Sequence, residues 1–215
     1  MNSLPLTDVE QRFVENLTEA ISRSPSLLLP ADFYDSFNFT QTGKNFTHPR
    51  TWGLIVKACW ALPEVAAVEV DVRLNLGSGR KFQPDVAARN SAGDLILAID
   101  YEGPNSSDAR ILSKDVKPYI GWAKELRRRG TQPPPYLIIT TLPRRPPPGV
   151  WKLRWTAKGH YNYGRSKDWD EMARHPYDYW YGDYREKVGK LLEEEPWATV
   201  RFLNLDGARL EPVRL

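Results

Sequence analysis

The sequence predicts an α/β fold: a central mixed β-sheet flanked by helices, in the order helix, three-strand meander, helix, strand. Three observations carry that prediction. Val68, Val70, Val72 and Leu74 alternate with Glu69, Asp71, Arg73 and Asn75, which marks a strand with one buried face over Val65 to Leu76. Leu95 to Glu102 is apolar on both faces until its end, as in a central strand. Tyr119, Ile120, Trp122, Ala123 and Leu126 then recur at helical spacing before Gly130, and a second apolar run, Tyr136 to Leu142, follows. At 215 residues the chain fits one domain with extensions. These are an N-terminal helix and irregular segment over 1–47, a core over 48–142, and an aromatic-rich C-terminal extension with a hairpin over 143–215.

Each element has its own local reason. Thr7 to Arg23 reads as a helix: Thr7 can cap it, Glu10 follows three residues on, and Phe13, Leu17 and Ile21 share a face. Residues 24–47 are polar and aromatic and predict no regular structure. His48 to Leu62 predicts a second, well-buried helix through Trp52, Leu54, Ile55, Ala58 and Cys59. Gly77-Ser78-Gly79 is a turn, Phe82 to Ala88 a second strand, and Asn90 to Asp94 another turn. The helix over Val116 to Arg129 contains Pro118, which an N-cap at Asp115 would place in the first turn, where a missing N–H does no harm. Tyr181 to Glu195 predicts a late helix. Thr199 to Leu205 and Arg209 to Val213 flank Asp206-Gly207, a hairpin signal.

Composition narrows the function. The single Cys59 rules out an intrachain disulfide and sits in an apolar stretch, so it reads as core. His48, His160 and His175 have no ligand spacing, which argues against zinc, and no Ser-His or Cys-His arrangement supports a nucleophilic hydrolase. No apolar run reaches membrane-spanning length and no secretion signal is evident, so the expectation is a cytoplasmic protein without a membrane partner. The net charge of +3 conceals an asymmetry: Arg110 to Lys167 holds 14 Lys and Arg against two acids, leaving 16 bases and 25 acids elsewhere. A basic segment of this kind suits a polyanion. Within or beside it, Lys81, Lys117, Arg144, Arg145, Lys152 and Arg154 are the expected nucleic-acid contacts, with Arg144 and Arg145 in a proline-stiffened arm. Trp151 and Trp155 nearby are read as packing.

The chemistry lies in Phe82-Gln83-Pro84-Asp85 and Leu95 to Glu102. Asp100 and Glu102 are two apart on a strand and project from one face. A meander brings Asp85 to the same strand end. Three carboxylates there make a hard oxygen site for Mg²⁺ or Mn²⁺, whose charge offsets their repulsion. Glu69 and Asp71 on the first strand read as solvent-facing, and Glu10 would join only if its helix packs there.

With these residues in view, the chain resembles the PD-(D/E)xK nuclease superfamily, which has a restriction-endonuclease-like core. Pro84-Asp85 matches the first motif element and Asp100-Tyr101-Glu102 the second, with Glu102 where the family usually has Lys. The resemblance covers roughly Pro49 to Leu142. It implies a Mg²⁺- or Mn²⁺-dependent nuclease with DNA as partner, in which Asp85 and Asp100, helped by the Tyr101 carbonyl, hold the metal. Glu102 would position the attacking water, take its proton or hold a second ion. The missing lysine could come from elsewhere, Lys114 first, then Lys81 or Lys117. The alternative is an inactive nuclease-like module that binds nucleic acid or a protein partner. A homodimer is left open.

Overall fold

The computed structural model describes residues 5–23, 41–75, 81–102, 111–140, 187–206 and 209–213. The expected sites Arg144, Arg145, Lys152 and Arg154, the basic segment from residue 141 on, the Gly77-Ser78-Gly79 turn and the 151–186 aromatic stretch lie outside them.

Helix α1 spans Asp8–Arg23. Its start is a reciprocal capping box: the Thr7 N–H donates to Glu10 Oε2 at 2.7 Å, and the Glu10 N–H donates to Thr7 Oγ1 at 3.3 Å. Phe13, Leu17, Ala20 and Ile21 form its buried stripe. Helix α2 spans Gln41–Trp60, so it begins seven residues before the sequence expectation, and residues 41–47 are helical rather than irregular. The added turns carry no apolar period.

The strands are β1 (Ala67–Val70), β2 (Leu74–Asn75), β3 (Lys81–Phe82), β4 (Val86–Arg89), β5 (Leu95–Glu102), β6 (Tyr136–Thr140), β7 (Val200–Asp206) and β8 (Arg209–Val213). Six of them make one sheet in the order β1-β4-β5-β6-β7-β8, while β2 and β3 pair separately. The β1-β4-β5 meander is antiparallel, β5-β6 and β6-β7 are parallel, and β7-β8 is an antiparallel hairpin. The sheet is therefore mixed, and β5 sits inside it with its central residues fully buried, as its two-sided apolar pattern requires.

Two expected strands are each broken in two. The first ends at Asp71, whose φ of +53° is a left-handed conformation that cannot continue a strand. The second breaks at Pro84, which has no N–H for a ladder, and the next amide, that of Asp85, bonds a side chain instead of a neighbouring carbonyl.

Between β5 and β6, a π-helical turn (Ile111–Val116) leads into α3 (Lys117–Arg128). Here the expected Asp115 cap is not found. The N-cap position is Val116, with no side-chain cap bond, because helical backbone already precedes α3 and supplies acceptors for its first amides. Pro118 lies in the first turn as expected, and Gly130, at φ +78°, follows the helix end. A last helical segment, α4, is described over 187–194.

Helices cover both faces. Leu54, Ile55, Ala58 and Cys59 of α2 join the α1 stripe against Val86, Ala88, Leu97, Ile99, Leu137, Ile139 and Leu203. Tyr119, Ile120, Trp122 and Ala123 of α3, with Val188 of α4, pack against Phe82, Ala98, Tyr136, Ile138 and Phe202. Cys59 is core, as expected, and burial pushes its thiol up to about 12. Among the described residues, no helix is long and apolar enough to cross a membrane.

Candidate carboxylate site

Strand alternation places the key acids. Ala98 and Ile138 face the α3 layer, so Asp100 and Glu102 of β5 point the same way. Val86 and Ala88 face the α1-α2 layer, which puts Asp85 on the α3 side as well. Val86 lies opposite Ile99 across the antiparallel pair, so Asp85 comes level with Asp100. The three acids thus share one face at one end of the sheet.

Asp85 and Asp100 bracket each other. The Asp85 N–H donates to Asp100 Oδ1 at 2.7 Å, and the Tyr101 N–H donates to Asp85 Oδ2 at 2.8 Å. The Asp85 carbonyl accepts from the Asp71 N–H at 2.8 Å, and Asp71 Oδ1 accepts from Gln83 Nε2 at 2.6 Å. Asp85 is therefore fixed between the end of β1 and the end of β5. Its side chain is half-buried, while Asp100 is only 5 % exposed.

Tyr136, the first residue of β6, completes the arrangement, and its hydroxyl donates to Asp100 Oδ2. Tyr136 lies level with Ala98 on the parallel neighbour, so Asp100 is its diagonal partner on the same face, within reach of a long side chain. The ring stacks on Tyr119 at 4.9 Å and meets the edge of Phe82 at 5.0 Å. Trp122 closes on Phe82 at 5.4 Å. Asp100 thus stands on an aromatic cluster.

The electrostatics follow. Burial, then the Asp85 carboxylate, hold the Asp100 carboxyl well above its ordinary range, and Glu102 adds to this; the Tyr136 hydroxyl and Asp85 amide oppose it. Burial, then Asp100 and then Asp115, raise the Tyr136 phenol. Asp115, on the π-helical turn, is thus a further charge near the site. Neither Tyr136 nor Asp115 was assigned there from sequence: Tyr136 read as a strand start, and Asp115 as a cap. The apolar run from Tyr136 marked the strand but not the register that aims its ring.

The other expected residues are spread out. Lys114 is exposed beside Asp115, and Lys81 and Lys117 are exposed on β3 and α3. Glu69 pairs with Arg89 at 2.8 Å. Glu10 lies on the opposite side of the sheet, fully buried, and accepts from Arg201 Nε at 3.2 Å.

Among the described residues, no group of three or more His, Cys, Asp or Glu is disposed to hold a metal ion. Both Asp100 oxygens are turned to protein donors. Asp85, Asp100 and Glu102 share only the donor type, carboxylate oxygen, that hard divalent cations take. Compared with known proteins, the chain matches no protein-family model, no curated sequence and no solved structure.

Proposed function

We propose that the chain is a metal-dependent nuclease that hydrolyses phosphodiester bonds in DNA. The observation that carries this reading is the reciprocal Asp85–Asp100 bracket, with Glu102 on the same face at the same sheet end. The PD-(D/E)xK resemblance of Pro84-Asp85 and Asp100-Tyr101-Glu102 supports it.

Asp85, Asp100 and Glu102 would hold Mg²⁺ or Mn²⁺. Such an ion, when bound, polarises the scissile phosphate and makes a water acidic enough to ionise near neutral pH. The main-chain bonds to Asp85 and Asp100 keep both carboxylates at fixed positions, so little reorganisation is needed when a ligand arrives. Glu102, half-buried at the strand end, would orient the attacking water and take its proton. Lys114, exposed one residue before Asp115, offers a positive charge to a phosphate. Lys81 and Lys117 would add backbone contacts.

A second reading is favoured by one observation. Both oxygens of Asp100 accept protein hydrogen bonds, while among the described residues no metal-ready group is formed. That state suits a nuclease-like module that binds nucleic acid, or a protein partner, without cutting.

Incubating the full chain with supercoiled plasmid and with single-stranded DNA in Mg²⁺ or Mn²⁺ separates the two, with Asp85→Ala as control. We expect cleavage by the wild type and none by Asp85→Ala. Asp100→Asn should also stop cleavage yet keep or strengthen DNA binding in a gel shift, because it removes a negative charge near the phosphates. Equal cleavage by wild type and variants would sink the assignment of these residues. Binding without cleavage by the wild type would favour the second reading.

A further inference from the structure

We infer that Asp85 and Asp100 form a clasp at the fork where β4 leaves β5: each carboxylate takes a main-chain amide beside the break in the ladder, and no cation is part of it. The clasp rests on the second reading above, a module that does not cut, and opposes the metal reading at these two residues. The grounds are geometric. Among the described residues no three His, Cys, Asp or Glu are disposed to hold a metal ion. Asp100 Oδ1 and Oδ2 each accept from a protein donor.

The sequence makes the fork. Pairing of β4 with β5 runs as far as Val86 opposite Ile99, while β5 stays paired with β6 through Asp100, Tyr101 and Glu102. The same register brings Pro84 level with Tyr101, and Pro84 has no N–H to give a ladder. The amides of Asp85 and Tyr101 flank this break. The first donates to Asp100 Oδ1 at 2.7 Å and the second to Asp85 Oδ2 at 2.8 Å, so each carboxylate bonds the main chain of the segment that carries the other. The neighbouring strands lock the pair. The Asp71 N–H at the end of β1 donates to the Asp85 carbonyl at 2.8 Å, and the Tyr136 hydroxyl of β6 donates to Asp100 Oδ2. A carboxylate suits the task because it accepts on both oxygens, here from an N–H on one and an O–H on the other.

The test is amide hydrogen exchange of the full chain, read residue by residue by NMR in EDTA, for wild type, Asp100→Ala, Asp100→Asn and Asp85→Ala. We expect slow exchange at the Asp85 and Tyr101 amides of the wild type. Asp100→Ala should speed exchange at the Asp85 amide about 5- to 150-fold, the effect of leaving a donor without its acceptor. Asp85→Ala should do the same to the Tyr101 amide. Asp100→Asn should keep the Asp85 amide at its wild-type rate, since its side-chain oxygen still accepts and its Nδ2 can donate to the tyrosine oxygen. Rates that do not change when Mg²⁺ replaces EDTA support the clasp as well. Unprotected exchange at both amides of the wild type overturns the clasp and leaves the second reading, which needs none, standing. An equal rise at Val86 and Ala88 within β4 also overturns it, as general loosening of the sheet. Should Asp100→Ala fail to fold, wild type and Asp100→Asn decide: matched slow rates support the clasp, and a fast Asp85 amide in either ends it. Exchange slowed at both amides by Mg²⁺, together with plasmid cleavage that Asp85→Ala loses, overturns the clasp and the second reading together.

Discussion

A carboxyl group that is buried next to another carboxylate is a cost to the folded state whenever it is charged. Asp100 is in that position: burial first, and Asp85 second, raise it well above its ordinary range. Between the ordinary carboxyl range and this raised value, the folded state holds a proton that the unfolded chain has released. Stability must then fall as pH rises through that window. Asp100→Asn keeps the shape and removes the charge. We predict that its melting temperature gains on that of wild type as pH rises above the ordinary carboxyl range; a margin independent of pH would contradict the account. The Pro-Asp and Asp-x-Glu spacing made Asp85, Asp100 and Glu102 legible as neighbours, since strand alternation and a meander suffice to align them. The Tyr136 contact was not legible. It depends on the register of a parallel pair joined through a helix, and no local pattern sets that register.

The elements divide by how local their cause is. Helix α1 and its capping box, strand β5, and the β7-β8 hairpin were readable because a cap, a run length or a turn dipeptide determines each one. The first strand was not, because its alternation runs on through residue 74 while the backbone turns at Asp71. The turn is stabilised by contacts to Asp85 and Gln83, both distant in sequence. A β-branched residue adopts the left-handed conformation at a cost of about 1–2 kcal/mol. Asp71→Val should therefore lower the unfolding free energy by about 1–2 kcal/mol, read as a lower urea midpoint at unchanged slope, whereas Asp71→Asn, which tolerates the conformation, should be close to neutral. If valine proves neutral too, the positive φ is not what ends the strand. The extra turns of α2 were missed for a similar reason: their residues carry no period of their own.

At the scale of the whole molecule, the mixed sheet with helices on both faces was legible, and the surface charge was only partly so. In the described part of the basic segment, Lys124 pairs with Glu195, Arg128 and Arg129 pair with Glu125, and Arg127 lies 4.7 Å over the Trp197 ring. These charges are engaged within the fold, which a count along the chain could not reveal. Lys114 and Lys117 stand exposed at the entrance to α3, on the face that carries Asp100. If that face meets nucleic acid, replacing both with Ala should weaken duplex binding similarly for all sequences. It should also flatten the slope of log affinity against log salt by up to about 0.9 per lost phosphate contact. Unchanged affinity and slope, measured by fluorescence anisotropy across a salt series, would place the nucleic-acid face elsewhere.

The buried pair between Glu10 and Arg201 has a consequence in time. One carboxylate both closes the first turn of α1 and receives a guanidinium 191 positions later. During synthesis, α1 is made with Glu10 still in water, 191 positions before its counter-charge. The N-terminal helix layer cannot reach its final form until β7 has been translated and seated in the sheet. Until then, the stripe of Phe13, Leu17 and Ile21 stays without its full cover. The nascent chain thus holds α1 in waiting for β7, and this helix layer closes only after that distant strand has been made.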